Sequence, residues 1–139
     1  MRDFAQALSR VRCWDERTER VYRQRGVPAD DTILQTRGEL ELLCQFIERE
    51  RIRSFLEIGS WTGRLILTLQ ELFSFERIAA CDLGLAAQLG LPFHLKDQSF
   101  PCFFGSSHSA EYQRWREQLG PFDLTLIDGD HSYEGVVRD

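Results

Sequence analysis

Residues 54–63, SFLEIGSWTG, indicate the fold of this chain. The apolar run from Ser54 ends at Gly59, and Gly63 follows four residues later, before the sequence RLILTLQELF. A short apolar run of this kind is typical of a buried parallel strand. The apolar residues at 65, 66, 67, 69, 72 and 73 have the spacing of a helix packed on a sheet. We therefore predict a strand, a tight glycine turn and a helix.

The same alternation of strand and helix continues along the chain. Three further apolar runs, at 77–84, 100–105 and 122–129, predict strands, and a helix is expected at about 109–119. This order is typical of an α/β domain whose mostly parallel sheet carries helices on its faces. We predict that fold class here.

The N-terminal part of the chain is rich in arginine. Up to Arg25, apolar residues recur at roughly helical spacing. This spacing predicts an amphipathic helix on the protein surface or, alternatively, a partner-binding or dimerisation helix. Pro28 and two aspartates indicate a loop at 26–32, and a second helix is expected from about Thr36 to Glu50. We predict a helical extension at 1–35 and a main domain at 36–139.

Composition and charge narrow the classes of function. The 139 residues carry 17 basic and 22 acidic side chains, a net charge of −5, so nucleic acid is not an expected partner. No apolar run approaches the roughly 18 residues that cross a membrane. The first residues contain no uninterrupted apolar segment, so we do not expect a secretory signal. The four cysteines lack the close spacing of a metal or redox motif. We therefore predict free thiols in a cytoplasmic protein with no membrane partner.

Ligands of open parallel sheets bind beyond the carboxyl ends of the strands, where this chain places several acidic residues. Glu57 precedes a G-x-x-x-G loop rather than the G-x-G-x-x-G of a dinucleotide site. Its carboxylate suits an ammonium group better than a pyrophosphate. Asp82 ends the next strand, where a carboxylate can accept both hydroxyls of a ribose. The alternatives are structural, since a tight turn needs glycines without any ligand and an aspartate can cap a helix.

Four segments, FLEIGSWTGRLILTL, IAACDLG, FFGSS and FDLTLIDGDHSYEGVVRD, carry a resemblance to a known family. Over residues 36–139 the chain resembles the class I S-adenosylmethionine-dependent methyltransferases, in particular the methyltransferase family 24 branch near the macrocin-type and catechol-type O-methyltransferases. The resemblance implies a Rossmann-like fold with S-adenosylmethionine as cofactor. It also implies O-methylation of a hydroxyl on a small molecule or sugar, with a divalent metal such as Mg²⁺ as an assisting ion.

The resemblance implies roles for individual residues. Those of the cofactor site follow the strands: Glu57, Gly59, Ser60 and Gly63 at the methionine end, Asp82 at the ribose, Ser106 near the adenine, and Asp128 after the fourth strand. Many members of the family have an acidic residue in place of Ser106. Asp128 also falls where the metal-dependent members place a cation ligand, and His131 where they place the catalytic base. The structural alternatives are a strand-end turn at Asp128 and a hydrogen-bonding role for His131.

Three interpretations of function stay open at this point. The first is the methyltransferase, acting on a small-molecule substrate. The second is a non-catalytic methyltransferase fold that serves as a binding or interaction module. The third is a dinucleotide-dependent oxidoreductase, against which Glu57 and the missing third glycine both count. Because the family continues through three more strands, we expect a fragment, or a sheet completed by a second copy in a homo-oligomer or by another chain.

Overall fold

The computed structural model describes residues 2–28, 30–129 and 133–138. The chain forms two compact units, Met1–Ile52 and Arg53–Asp139, and each is described by itself. The sequence predicts a boundary between a helical extension at 1–35 and a main domain at 36–139, where the family resemblance begins. That boundary stays a prediction. By contacts alone, the helix that follows residue 36 belongs to the first unit.

The first unit combines short helices with a small parallel sheet. Its elements are α1 (Phe4–Ala7), β1 (Cys13–Trp14), α2 (Glu16–Arg25), β2 (Ile33–Thr36) and α3 (Arg37–Arg49). Strand β1 pairs in parallel with β2. The helix expected from about Thr36 to Glu50 is confirmed as α3. Its buried residues are Leu40, Cys44 and Ile47.

The prediction of helical structure throughout the chain up to Arg25 is wrong at β1. Asp15 ends the extended segment and caps the next helix, because its side chain accepts from the backbone N–H of Thr18. The Thr18 side chain bonds back to the backbone of Asp15 and completes a capping box. Helix α2 therefore starts anew at Glu16, and the strand before it is free to pair with β2, a strand that the sequence did not predict.

The second unit contains the main sheet. Its elements are β3 (Ser54–Ile58), α4 (Arg64–Leu72), β4 (Arg77–Asp82), α5 (Leu85–Gln88), a 3-10 helix (His94–Asp97), β5 (Cys102–Phe104), α6 (Ala110–Leu119), β6 (Leu124–Ile127) and α7 (Tyr133–Arg138). The four strands lie in the order β5-β4-β3-β6, and all pairs are parallel. This confirms the predicted α/β fold with a parallel, Rossmann-like sheet flanked by helices.

The core of this unit lies against the two central strands. Every residue of β3 is buried, and so is every residue of β4 after Arg77. Leu56 and Ile58 point to one face of the sheet, where they share a hydrophobic cluster with Tyr112 of α6. Because side chains alternate along a strand, Glu57 points to the opposite face. A buried carboxylate therefore sits in the most enclosed strand.

The structure bears on two of the sequence predictions, the free thiols and the absence of a membrane-crossing segment. All four cysteines are free, and Cys44 and Cys81 are buried as expected. Within the described part of the chain, no helix has the length and apolar character needed to cross a membrane.

Candidate functional site

Three acidic residues follow one another along the carboxyl edge of the main sheet. Strands β3, β4 and β6 end side by side, since Ile58 pairs with Cys81 on one side and with Ile127 on the other. Glu57 is the fourth residue of β3 and Asp82 the last of β4. Asp128 comes directly after β6, and its backbone N–H donates to the carbonyl of Ile58 at 2.8 Å. The parallel topology therefore brings the predicted carboxylates to one edge.

Of the three carboxyl groups, that of Glu57 has the most strongly shifted pKa. Its residue is 2% exposed, and burial raises the pKa of its carboxyl to about 8. The negative charges of Asp128 and Asp82 raise this pKa further. One carboxyl oxygen, Oε2, is buried without a hydrogen-bond partner. A buried carboxyl left in this state is costly for the free protein, and a ligand that donates to it would remove the cost.

Two further buried polar atoms, in the segment that follows Glu57, have no hydrogen-bond partner. They are the hydroxyl oxygen of Ser60 and the indole nitrogen Nε1 of Trp61. The Ser60 hydroxyl lies close enough to Glu57 to lower the pKa of its carboxyl, but the geometry is not that of a hydrogen bond. Both residues belong to the loop between β3 and α4. Most buried polar groups in proteins are paired, so this concentration marks the loop as a candidate binding site.

Asp82 connects this loop to the end of β4. Its residue is 8% exposed, and its Oδ2 accepts from the backbone N–H of Trp61 at 2.8 Å. Its Oδ1 accepts from the backbone N–H of Gly84 at 2.6 Å. Burial raises the pKa of this carboxyl, while backbone hydrogen bonds from Gly84, Trp61 and Ser60 act in the lowering direction. Each carboxylate oxygen can accept a second bond, so Asp82 orders the loop and can still accept hydroxyls from a ligand.

The backbone conformation and close contacts at Gly59 and Gly63 require glycine at both positions even without a ligand. Gly59 has φ +84°, and a Cβ there would overlap the backbone carbonyl of Asp128. Gly63 has φ +89°, and a Cβ would lie 2.9 Å from the side chain of Leu95. Only glycine adopts this backbone region freely. The structural alternative raised from the sequence therefore accounts for both glycines.

Ser106 lies in the exposed loop after β5. Its hydroxyl accepts from the backbone N–H of His108 at 3.1 Å, which is a local turn contact. His108 in turn has Nε2 3.2 Å from the carbonyl of Gly135 in α7. His94 has Nε2 3.0 Å from a guanidinium nitrogen of Arg64. Both histidines are half-buried, and each contacts another element of the second unit.

The proposed catalytic base His131 lies outside the described residues, as does Asp130. Within the ranges that the structure describes, no group of three His, Cys, Asp or Glu side chains is arranged to hold a metal ion. Asp128 is described, but one carboxylate does not satisfy the near-octahedral oxygen coordination of Mg²⁺. The metal role of Asp128 stays a prediction from the resemblance.

Trp61 lies between the two glycines of the loop that joins β3 to α4. The residue has φ +55°, a left-handed conformation that is uncommon for a non-glycine side chain and is found preferentially at functional sites. The G-x-x-x-G pattern indicated a turn, but nothing in it told which residue between the glycines takes the strained position. The bond from its backbone N–H to Asp82 holds Trp61 in that conformation.

Comparison with known proteins assigns no family. No protein-family model matches the chain, and none of the curated proteins matches it.

Proposed function

We propose that this chain is an S-adenosylmethionine-dependent methyltransferase that methylates a hydroxyl oxygen of a small molecule or sugar. The carrying observation is the buried carboxyl of Glu57, whose Oε2 has no partner and whose charged neighbours are the carboxylates of Asp82 and Asp128. Such a cluster favours a cationic ligand. S-adenosylmethionine carries two positive charges, on its ammonium and its sulfonium.

The residues of the loop fit the chemistry of this cofactor. Glu57 would accept from the ammonium group, and the Ser60 hydroxyl is free to donate to the carboxylate of the methionine portion. Asp82 would accept from the ribose hydroxyls with its remaining lone pairs. A dinucleotide would bring a pyrophosphate toward the negative charges of Asp82 and Asp128, which counts against the oxidoreductase alternative.

The contribution of the chain to methyl transfer is binding and orientation. When bound, the cofactor supplies an electrophilic methyl group on its sulfonium. The loop from Gly59 to Gly63 is tied to Asp82 before any ligand arrives, so little reorganisation is needed on binding. Holding the methyl group in line with an acceptor oxygen supplies much of the rate in such reactions. The described residues do not fit a divalent-metal site.

Titration calorimetry with S-adenosylhomocysteine tests this proposal. Asp82→Asn removes a charge from the cluster, and Glu57→Gln removes a carboxyl that would ionise beside a bound ammonium group. We expect each to weaken binding by about tenfold or more, the loss typical of a charge-assisted hydrogen bond. Glu71→Gln on the exposed side of α4 removes one negative charge elsewhere, and we expect a change of less than about twofold. Circular dichroism of each variant confirms that it is folded.

Three outcomes would contradict the proposal. One is a folded protein that does not bind S-adenosylhomocysteine. A second is NAD binding more tightly than this ligand, and a third is equal weakening by Glu57→Gln and Glu71→Gln. Transfer of a labelled methyl group to a panel of hydroxyl acceptors then separates an enzyme from a non-catalytic binding module, because the module binds cofactor without turnover.

A further inference from the structure

The first unit contains two neighbouring cavities that no part of the proposed methyltransferase site uses. The smaller has a volume of about 160 Å³ and the larger about 370 Å³. They share the residues Arg12, Trp14, Arg17 and Thr18, so β1 and the start of α2 form a wall between them. Pockets for drug-sized ligands run from about 300 to 1,000 Å³, so the smaller cavity suits a small ligand or one group of a larger one.

The smaller cavity is lined by one face of α2. Arg17, Val21 and Arg25 recur every four residues and all line it. Two guanidinium groups therefore flank an apolar side chain along the same helix face. The helix dipole favours a basic side chain at Arg25 in the last turn but not at Arg17 in the first turn, so helix stability does not explain the placement of Arg17.

Two carboxylates at the start of α2, those of the cap residue Asp15 and of Glu19, do not line the smaller cavity and are engaged in other contacts. The Asp15 carboxylate accepts from the backbone N–H of Thr18 at 2.9 Å as the helix cap. Glu19 accepts from the indole Nε1 of Trp14 at 3.0 Å and pairs with Arg23, also at 3.0 Å. The first bond fixes the plane of the Trp14 ring. The second directs the remaining charge of Glu19 to a residue that does not line the cavity.

An acidic residue that does line the smaller cavity is also paired. Asp30 binds Arg12 through Oδ2 at 2.6 Å, and its Oδ1 accepts from the hydroxyl of Thr32. Among the described residues, no ion pair with Arg17 or Arg25 is found. Arg17 acts only at longer range, on the carboxylate that caps α2, whose pKa it helps to lower. The cavity thus presents two guanidinium groups that form no ion pair among the described residues, beside a fixed aromatic ring.

We propose that this cavity binds a small molecule that carries a phosphoryl group next to a flat apolar ring. Guanidinium forks match the oxygens of a phosphate in pairs, and Arg17 and Arg25 can approach such a group from two sides. The ring of Trp14, which packs edge-on against Tyr22 at 5.6 Å, offers a pre-positioned surface for the apolar part. The proposal is independent of the methyltransferase site, since every residue in it belongs to the first unit.

The test uses the whole chain and four defined probes. Phenyl phosphate, inorganic phosphate, benzoate and phenol are titrated by calorimetry, with tryptophan fluorescence as a second signal. We expect phenyl phosphate to bind most tightly and phenol not to bind. Arg17→Gln and Arg25→Gln should each weaken phenyl phosphate binding by about tenfold, the size of a lost charge-assisted bond. The control Arg20→Gln removes the same charge from an exposed position of α2 outside the cavity, and we expect less than a twofold change.

Several results would overturn the proposal. Equal weakening by Arg17→Gln and Arg20→Gln would mean that binding follows net charge alone. If phenol binds as tightly as phenyl phosphate, the phosphoryl group does not contribute to binding. If inorganic phosphate binds as tightly as phenyl phosphate, the aromatic ring does not contribute. Tighter binding of benzoate would assign the site to carboxylates, and the absence of heat with all four probes would leave no such site.

Discussion

The burial of Glu57 predicts that this protein loses stability as the pH rises toward and beyond neutrality. The ordinary pKa of this side chain is 4.5, and burial beside Asp82 and Asp128 raises it to about 8 in the folded protein. Between these pH values the folded protein holds a proton that the unfolded chain has released. Raising the pH therefore favours the unfolded chain over this whole interval.

The size of the effect follows from the two pKa values. One proton of difference changes the free energy of unfolding by about 1.4 kcal/mol per pH unit. Over the interval from 4.5 to about 8 this amounts to on the order of 5 kcal/mol, a large part of the roughly 5–15 kcal/mol that stabilises most proteins. Burial also raises the pKa of Asp82, which makes the loss of stability with rising pH steeper in the acidic part of this interval. Carboxyls with a lowered pKa, such as that of Asp123, stabilise the folded protein while they are ionised, and this stabilisation is lost only as the pH falls below the ordinary pKa of the group.

Urea denaturation followed by circular dichroism at pH 5.5, 6.5, 7.5 and 8.5 measures this slope. We expect the wild-type protein to lose about 1.4 kcal/mol per unit up to pH 7.5 and less above it. Glu57→Gln, which keeps the shape and removes the titration, should flatten the profile and be more stable than wild type at pH 8.5. The exposed control Glu71→Gln should keep the wild-type slope. Equal slopes for wild type and Glu57→Gln would refute the reasoning.

Three further predictions concern local structure, each measured as the change in free energy of urea unfolding. Gly59→Ala should cost about 2–5 kcal/mol, because it adds a clash with the Asp128 carbonyl to left-handed strain, whereas Gly84→Ala, with φ +79° and open space, should cost only about 1–2 kcal/mol. A similar loss for both variants would contradict the close approach. Thr36→Ala removes the capping box of α3 and should cost about 1 kcal/mol, and no change would mean that the cap does not stabilise the helix. Asp123→Ala should lower stability, because the carboxylate accepts two backbone N–H groups at the start of β3, and Asp123→Asn should recover part of the loss.

The two central strands of the main sheet, β3 and β4, were predictable because they are buried on both faces. The runs around Leu56 and Ala79 are continuous and apolar, which distinguishes them from the helices between them. The small sheet of the first unit was not predictable in the same way. Strand β1 has two residues and β2 has four, so neither is long enough to show a period. The Asp15–Thr18 capping box was the only local sign of the break before α2.

The composition of the carboxylate edge was also predictable, since parallel strands end on the same side of a sheet. The sequence placed Glu57, Asp82 and Asp128 there without coordinates. It did not indicate how deeply each carboxyl would be buried or which hydrogen-bond partners it would have. Asp82 keeps backbone donors on both oxygens, whereas Glu57 has one oxygen without any partner. That difference depends on the packing of neighbouring elements, which a local pattern does not contain.

The structure also changes which part of the loop argues for a ligand. Gly59 and Gly63 are the most recognisable residues of the pattern, yet contacts with Asp128 and Leu95 require both of them in the free protein. A loop of this shape would therefore need its glycines even if nothing bound there. The carboxyl of Glu57 has no such internal reason, since a buried glutamine or leucine would avoid the like charges beside it. The case for a cationic ligand accordingly depends on this one side chain, and Glu57→Gln tests it by affinity and stability together.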